Sequence, residues 1–230
     1  MNILAFDTCL DACSAAVRSV AAGTLAAACE PMATGQAERL VPMISEVMAA
    51  AGVTFADIDR IAVTVGPGTF TGTRIAISAA RALALAVDVP VVTASSLAVI
   101  AEQAVRHLGQ APGAKAVAVA LDARRGQIYW QRFCLQGGLS PLCEPQVLSP
   151  ERAALEIAGE PYLIAGSGAA MIDGNVPGQH VIIDTVRLPL AEDLAAMAAH
   201  LQPVASPAPL YLRPADAKPQ VGKSIARITT

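Results

Sequence analysis

Residues 61–81, IAVTVGPGTFTGTRIAISAAR, constrain the fold of this chain more than any other stretch. Ile61, Ala62, Val63 and Val65 form a short apolar, partly β-branched run that stops at Gly66-Pro67-Gly68, and alanine-rich helical periodicity resumes from Thr73. The order is strand, tight glycine loop, helix. Gly66 and Gly68 tolerate positive φ, Pro67 fixes its own, and Thr69 or Thr71 can cap the first unpaired helical amides. Backbone donors gathered at a helix N-terminus suit an anion, and the same residues also suit a plain turn with a capping threonine.

Two familiar phosphate loops do not fit. A Walker A loop needs Gly-Lys-Ser/Thr, and this one ends Thr71-Gly72-Thr73. A dinucleotide fingerprint needs Gly-x-Gly-x-x-Gly and an acid at the end of the next strand. Here the third glycine comes one residue late, and Asp88 precedes the next strand.

The rest of the chain supplies strands and helices around this unit. Residues 2–6 read as a buried strand ending at Asp7-Thr8, with 13–17 as its hairpin partner and a third strand near 25–29. A helix opens at Thr34-Gly35-Gln36-Ala37-Glu38 and runs to about Ala51, with Leu40, Ile44, Val47 and Met48 on one stripe and Gly52 stopping it. Pro42 fits within its first turn or kinks its start. Residues 90–93 form another strand, Ser95-Ser96 cap a helix to His107, and Ala111-Pro112-Gly113 is a break.

Beyond the break, 116–121 is a strand ending in Asp122, and 127–133 is its hairpin partner. This repeats the opening arrangement of strand, Asp, turn, strand, and points to internal duplication. Two facing copies would place Asp7 and Asp122 on opposite walls of one cleft. Ser149-Pro150-Glu151 opens a further helix, and 163–165 runs into a second glycine turn, Gly166-Ser167-Gly168. Residues 181–184 form a strand and 191–201 a helix, and the proline-rich tail from Gln202 reads as extended, surface-lying chain ordered by docking. The expected domains are 1–108, carrying the glycine loop, and 109–230, a smaller lobe that continues into the extended tail.

Composition narrows the function classes. The chain is 54% hydrophobic but 3% aromatic, so its core is built from Ala, Val, Leu and Ile. A net charge of −3 argues against a broad nucleic-acid-binding face. Five cysteines, an odd number, suggest reduced thiols and a cytoplasmic setting, and Cys9-x-x-x-Cys13 has no matching pair with which to hold zinc. Arg81 and Asp88 interrupt the best candidate for a membrane span, and the expectation is a soluble protein.

The blocks ILAFDTCLDACSAAV, ERLVPMISEVMAAAG, VGPGTFTGTRIAISAARALA, ALDARRGQIYW and LYLRPADAK, in this order over nearly the whole chain, resemble the bacterial TsaB (YeaZ) family. That resemblance implies an α/β, actin-like (ASKHA, ribonuclease H-like) fold of two lobes with duplicated mixed sheets. It further implies a non-catalytic subunit that binds and stabilises the catalytic TsaD. TsaD forms N6-threonylcarbamoyladenosine at position 37 of ANN-reading tRNAs, with the TsaE ATPase as a further partner and TsaC supplying threonylcarbamoyl-AMP. Members of the family form homodimers when free and reach tRNA only through the complex.

The helices at about 38–51 and 73–86 are the surfaces this family uses for TsaD and for competing homodimers. Glu38, Arg39, Leu40, Met43, Val47, Arg74, Ala76, Ala79, Ala80 and Leu83 are therefore the interface candidates, although each could instead face its own sheet. Nucleotide-site candidates are Asp7, Gly66, Gly68, Thr69 and Asp122. No cofactor of its own is implied, and ATP or ADP is confined to the complex interface or a vestigial cleft. TsaD-like relatives bind metal through His-x-x-x-His, where this chain reads Thr93-Ala94-Ser95-Ser96-Leu97-Ala98. It also has Gln36-Ala37 where many TsaB sequences place a histidine before the Glu-Arg-Leu block. About sixty residues follow Gly168, few for a second nucleotide-binding half. The alternatives are an ATP-dependent phosphotransferase using Asp7, the Gly66 loop and Asp122, or a zinc peptidase.

Overall fold

The computed structural model describes residues 1–107, 113–173 and 180–213. The first sheet has the order β3-β2-β1-β4-β5, built from β1 (Asn2–Asp7), β2 (Ala12–Ser19), β3 (Gly23–Pro31), β4 (Arg60–Thr64) and β5 (Val91–Ala94). The three N-terminal strands are antiparallel, whereas β1, β4 and β5 run parallel. The second sheet repeats this plan. Its β6 (Ala116–Asp122) pairs antiparallel with β7 (Ile128–Cys134) and parallel with β10 (Tyr162–Ala165), which pairs parallel with β11 (Val181–Ile183). Two short strands, β8 (Ser140–Pro141) and β9 (Gln146–Leu148), flank β7 where β3 flanks β2. The duplication expected from the Asp7 and Asp122 hairpins is thus present in the strand order.

Alternation along β1 decides what each face meets. Leu4 and Phe6 pack with Cys13, Ala15 and Val17 against Leu40, Met43, Ile44, Val47 and Met48 of α1 (Gln36–Ala51) and Ala76 and Ala80 of α2 (Phe70–Val87). Ile3 and Ala5 face the other way, onto Leu194, Ala195 and Ala198 of α6 (Ala191–Ala198). On the second sheet, Val117, Val119 and Leu121 pack on Leu97, Ile100, Ala101 and Ala104 of α3 (Ser96–Val105). Its opposite face, with Trp130 and Ile128, packs on α4 (Pro150–Glu156) and α5 (Ala170–Asp173). Each large aliphatic side chain buried this way contributes about 1.5–3 kcal/mol.

The halves therefore exchange helices. α3 follows the first sheet in sequence yet covers the second, and α6 follows the second sheet yet covers the first. They meet in the middle layer, where Arg106 pairs with Asp193 at 2.5 Å and Gln103 Nε2 donates to the Leu188 carbonyl at 3.0 Å. A chain cut at 108/109 would lose the helix that covers one face of each sheet. The division point itself, with Ala111-Pro112, lies outside the described residues.

Local signals account for the helix ends. Gly52, at φ 67°, donates its N–H to the Ala49 and Met48 carbonyls and stops α1. Pro42 lies inside α1 beyond its first turn, on the exposed side, where water can serve the carbonyl that loses its partner. α2 starts at Phe70 rather than Thr73, capped by Thr69, whose Oγ1 accepts the Gly72 N–H at 3.1 Å. Ser95 and Ser149 cap α3 and α4 in the same way.

The tail is docked, and it crosses both lobes. Val204 pairs with Val91 on the edge of the first sheet, and Leu210 donates to the Val65 carbonyl at 2.7 Å. Arg213 then reaches the turn between β6 and β7, donating to the Ala123 carbonyl at 2.6 Å. The part of the LYLRPADAK block after Arg213 lies outside the described residues.

Candidate functional site: the cleft between the lobes and the outer helix face

Both glycine turns sit at the parallel-strand end of their sheets, and each is pressed onto the neighbouring hairpin. Thr69 donates to the Cys9 carbonyl at 2.7 Å, and Gly168 donates to the Ala120 carbonyl at 2.9 Å. A Cβ built on Gly68 would lie 2.1 Å from the Cys9 oxygen, and one on Gly166 the same distance from the Ala120 oxygen. Glycine is required at both positions by close backbone approach.

Between the two turns lies a cleft of about 310 Å³. Gly68, Thr69, Leu10 and Asp11 line it from the first lobe, and Asp122, Arg124, Tyr129 and Ser167 from the second, with Arg187 and Leu188 from the loop before α6. Three expected site residues, Gly68, Thr69 and Asp122, thus meet here. Gly66 is buried at φ 92°, backed by Leu210, and makes the turn without lining the cleft.

Asp7 does not face Asp122 across the cleft. It is fully buried beneath the glycine loop, where its Oδ1 accepts from the Thr64 hydroxyl and from the Cys9 amide at 3.2 Å. Its Oδ2 has no hydrogen-bond partner among the described residues. Burial pushes its carboxyl up to about 6, against the lowering effect of the Thr64 and Cys9 bonds. Burial and the neighbouring Asp7 charge likewise push the Cys9 thiol up to about 12. The acid on the first-lobe wall is Asp11 from the hairpin turn, which pairs with Arg124 at 3.3 Å. Asp122 Oδ1 accepts the Arg124 amide at 2.7 Å, and its own N–H donates to Ser167 Oγ at 3.1 Å.

The cleft therefore carries two acids and two arginines, and both acids are already engaged. Sequence reasoning missed Asp11, Arg124, Tyr129 and Arg187. The ARRG run after Asp122 signals Arg124, and nothing in the sequence marks Arg187. Among the described residues no three His, Cys, Asp or Glu side chains converge as metal ligands.

The interface candidates separate into two groups. Leu40, Met43, Val47, Ala76 and Ala80 are 0–3% exposed and sealed against the first sheet, so they are corrected from surface to core. Ala79 and Leu83 are half-buried on the same core, whereas Glu38 and Arg74 are exposed. Arg39 is clamped between Glu30 at 2.5 Å and Glu46 at 2.6 Å. These hydrogen bonds raise its guanidinium and lower both carboxyls.

What remains outside is a second apolar surface. Only Gly72, Thr73, Ala76, Ile77 and Ala80 of the 18-residue α2 are buried. α2 is also the one described helix long and apolar enough to cross a membrane by length and composition. Leu85 is 86% exposed and Val41, on neighbouring α1, 58%.

Comparison with known proteins places this geometry. A family model described as TsaD, tRNA N6-adenosine threonylcarbamoyltransferase, matches residues 30–204. The tRNA threonylcarbamoyladenosine biosynthesis protein TsaB of Escherichia coli (strain K12) is 33% identical over 207 residues, 87% of each chain. The structure of YeaZ from Pseudomonas aeruginosa superposes with a TM-score of 0.79 at 36% identity, covering 92% of this chain and 99% of that one. An inorganic polyphosphate/ATP-glucomannokinase from Arthrobacter sp. strain KM, at 14% identity and a TM-score of 0.53, covering 86% of this chain and 98% of that one, shares the actin-like fold alone. With its duplicated mixed sheets, its glycine loop at the lobe junction and these relatives, the chain belongs to the TsaB (YeaZ) family.

Proposed function

We propose that this chain is a non-catalytic subunit of N6-threonylcarbamoyladenosine synthesis, binding and stabilising TsaD as it modifies position 37 of ANN-reading tRNAs. The observation that carries this reading is the uncovered apolar face of α1 and α2, with Val41, Ala82, Leu85 and Ala86 exposed and Glu38 and Arg74 beside them. Small residues on α2 allow a partner helix to approach closely, and exposed apolar side chains on adjacent helices of a folded domain suit an interaction surface. The buried position of Asp7 supports a subunit over an ATP-dependent phosphotransferase, because its carboxylate is turned into the protein instead of toward a substrate.

On this reading a free homodimer competes for the same helices, TsaE joins the assembly, and tRNA is reached through TsaD in the cytoplasm. The chain then needs no cofactor of its own, and any ATP or ADP belongs to the complex interface or to the vestigial cleft.

The test is co-purification with TsaD. Leu85→Arg places a long charged side chain on the exposed face and should weaken association about ten-fold or more while leaving the monomer's thermal midpoint unchanged. Undiminished association of the variant would remove the interface. Transfer of threonylcarbamoyl to tRNA by this chain alone would remove the non-catalytic assignment.

A further inference from the structure

We propose that residues 203–213 act as a latch between the lobes, holding the β6–β7 turn over the cleft. The first half of this segment is fastened to the first lobe. Val204 bridges to Val91, Arg81 donates to Ser206 Oγ at 3.0 Å and to the Pro207 carbonyl, and Leu210 donates to Val65. Tyr211 then stacks on Phe70 with ring centroids 5.7 Å apart, and its hydroxyl accepts from Arg74 Nε at 2.8 Å. The Arg74 guanidinium lies 3.7 Å from the centre of the Phe70 ring. Covering the edge of β5 and the start of α2 would require no more than these contacts.

The chain nevertheless continues across to the second lobe. Arg213 donates to the carbonyls of Ala123 at 2.6 Å and Arg124 at 3.4 Å and to the Gln127 side-chain oxygen, with its guanidinium 5.9 Å from the centre of the Tyr129 ring. The turn it grips is unusual. Arg124, Arg125 and Gly126 are consecutive left-handed residues, at φ 63°, 57° and 69°, and two of them carry side chains that disfavour this region. Such a conformation persists where surrounding contacts over-determine it. Locally these are the Asp122 cap on the Arg124 amide and the Ala123–Gln127 and Gln127–Arg124 backbone bonds. From the first lobe the Asp11 carboxylate reaches Arg124 at 3.3 Å, and from the tail Arg213 grips the turn's carbonyls.

Ala123, Arg124 and Tyr129 all line the cleft, and Arg213 touches all three. The latch therefore couples the outer start of α2, at Phe70 and Arg74, to the shape of the cleft wall. Arginine suits this role because its planar fork can serve several carbonyl-type acceptors at once, which a lysine ammonium cannot do in the same geometry.

The experiment is hydrogen exchange on the full chain, following the bonded amides of Ala123, Arg124 and Gln127 with β10 as reference. Arg213→Ala should accelerate those amides about ten-fold, and Arg213→Lys should recover part of the protection. Tyr211→Ala, which loosens the segment only on the first lobe, should accelerate the same second-lobe amides by a smaller factor. β10 should be unchanged in all three. The latch is overturned if the turn exchanges at the wild-type rate in Arg213→Ala. It is equally overturned if Tyr211→Ala leaves the turn unaffected, or if β10 and the turn accelerate together.

Discussion

The amide of Thr69 donates to the carbonyl of Cys9 at 2.7 Å, clamping the start of α2 onto the turn that ends β1. This bond requires the two backbones to touch, and Gly68 is the residue that lets them. Its missing Cβ would sit 2.1 Å from the Cys9 oxygen and 2.8 Å from the carbonyl carbon, both main-chain atoms with no rotamer to yield.

Gly68→Ala should therefore destabilise the protein by about 3 kcal/mol or more, as other backbone-level clashes do. Gly35→Ala is the control, because nothing lies within 4 Å of its Cβ position and only its φ of 94° is strained, so about 1 kcal/mol is expected. Denaturant melts of the two variants check the order. Equal losses would deny the contact with Cys9 its role at Gly68.

Asp7 predicts a pH dependence of unusual sign. Its folded value of about 6 lies above the unfolded value of 3.8, so between those pH values the folded chain binds more protons than the unfolded one. Its contribution thus favours folding below about pH 4 and is lost as pH rises through 6, a penalty of about 3 kcal/mol at neutral pH by linkage. Asp7→Asn should raise stability at pH 7.5 by about 1–2 kcal/mol, part of the gain going to its unpaired amide. It should also flatten the slope between pH 4 and 6. Urea midpoints across this range decide it, and a variant less stable at pH 7.5 would place the carboxylate in a favourable site after all.

The pair Arg106–Asp193 joins the two exchanged helices, and its members are unequal. The Asp193 side chain is 5% exposed and that of Arg106 55%. Burial raises the Asp193 carboxyl against the opposing pull of Arg106. Arg106→Ala should cost about 2 kcal/mol by leaving a buried charge unpaired, and Asp193→Asn in the same background should restore part of it. A double-mutant cycle measures the coupling, and additive losses would deny the pair any role in holding α3 to α6.

Met43 and Leu85 occupy helices of similar composition and opposite environments, 0% and 86% exposed. Met43→Ala should cost about 2–4 kcal/mol and Leu85→Arg less than about 0.5 kcal/mol. Thermal melts of the isolated protein separate them, and a large loss at Leu85 would place that residue in the protein's own core.

Much of this protein was already determined by its residue order. Short β-branched runs ending in Gly66-Pro67-Gly68 and Gly166-Ser167-Gly168, Gly52 after an apolar stripe, and serines before helices are local signals, and local backbone chemistry obeyed them. The recurrence of strand, Asp, turn and strand also disclosed the duplicated lobes, and motif blocks spread over the chain disclosed the family. The tertiary structure decided the rest. An alanine-rich helix such as α2 is apolar on nearly every side, so periodicity could not say that Ala76 and Ala80 face the sheet while Leu85 faces water. Asp7 and Asp122 occupy equivalent places in sequence, yet one is sealed beneath a glycine loop and the other lines the cleft. The exchange of α3 and α6, and the reach of Arg213 to Ala123, are contacts between residues about ninety positions apart. No local pattern encodes them, because they depend on how two finished sheets come to lie against each other.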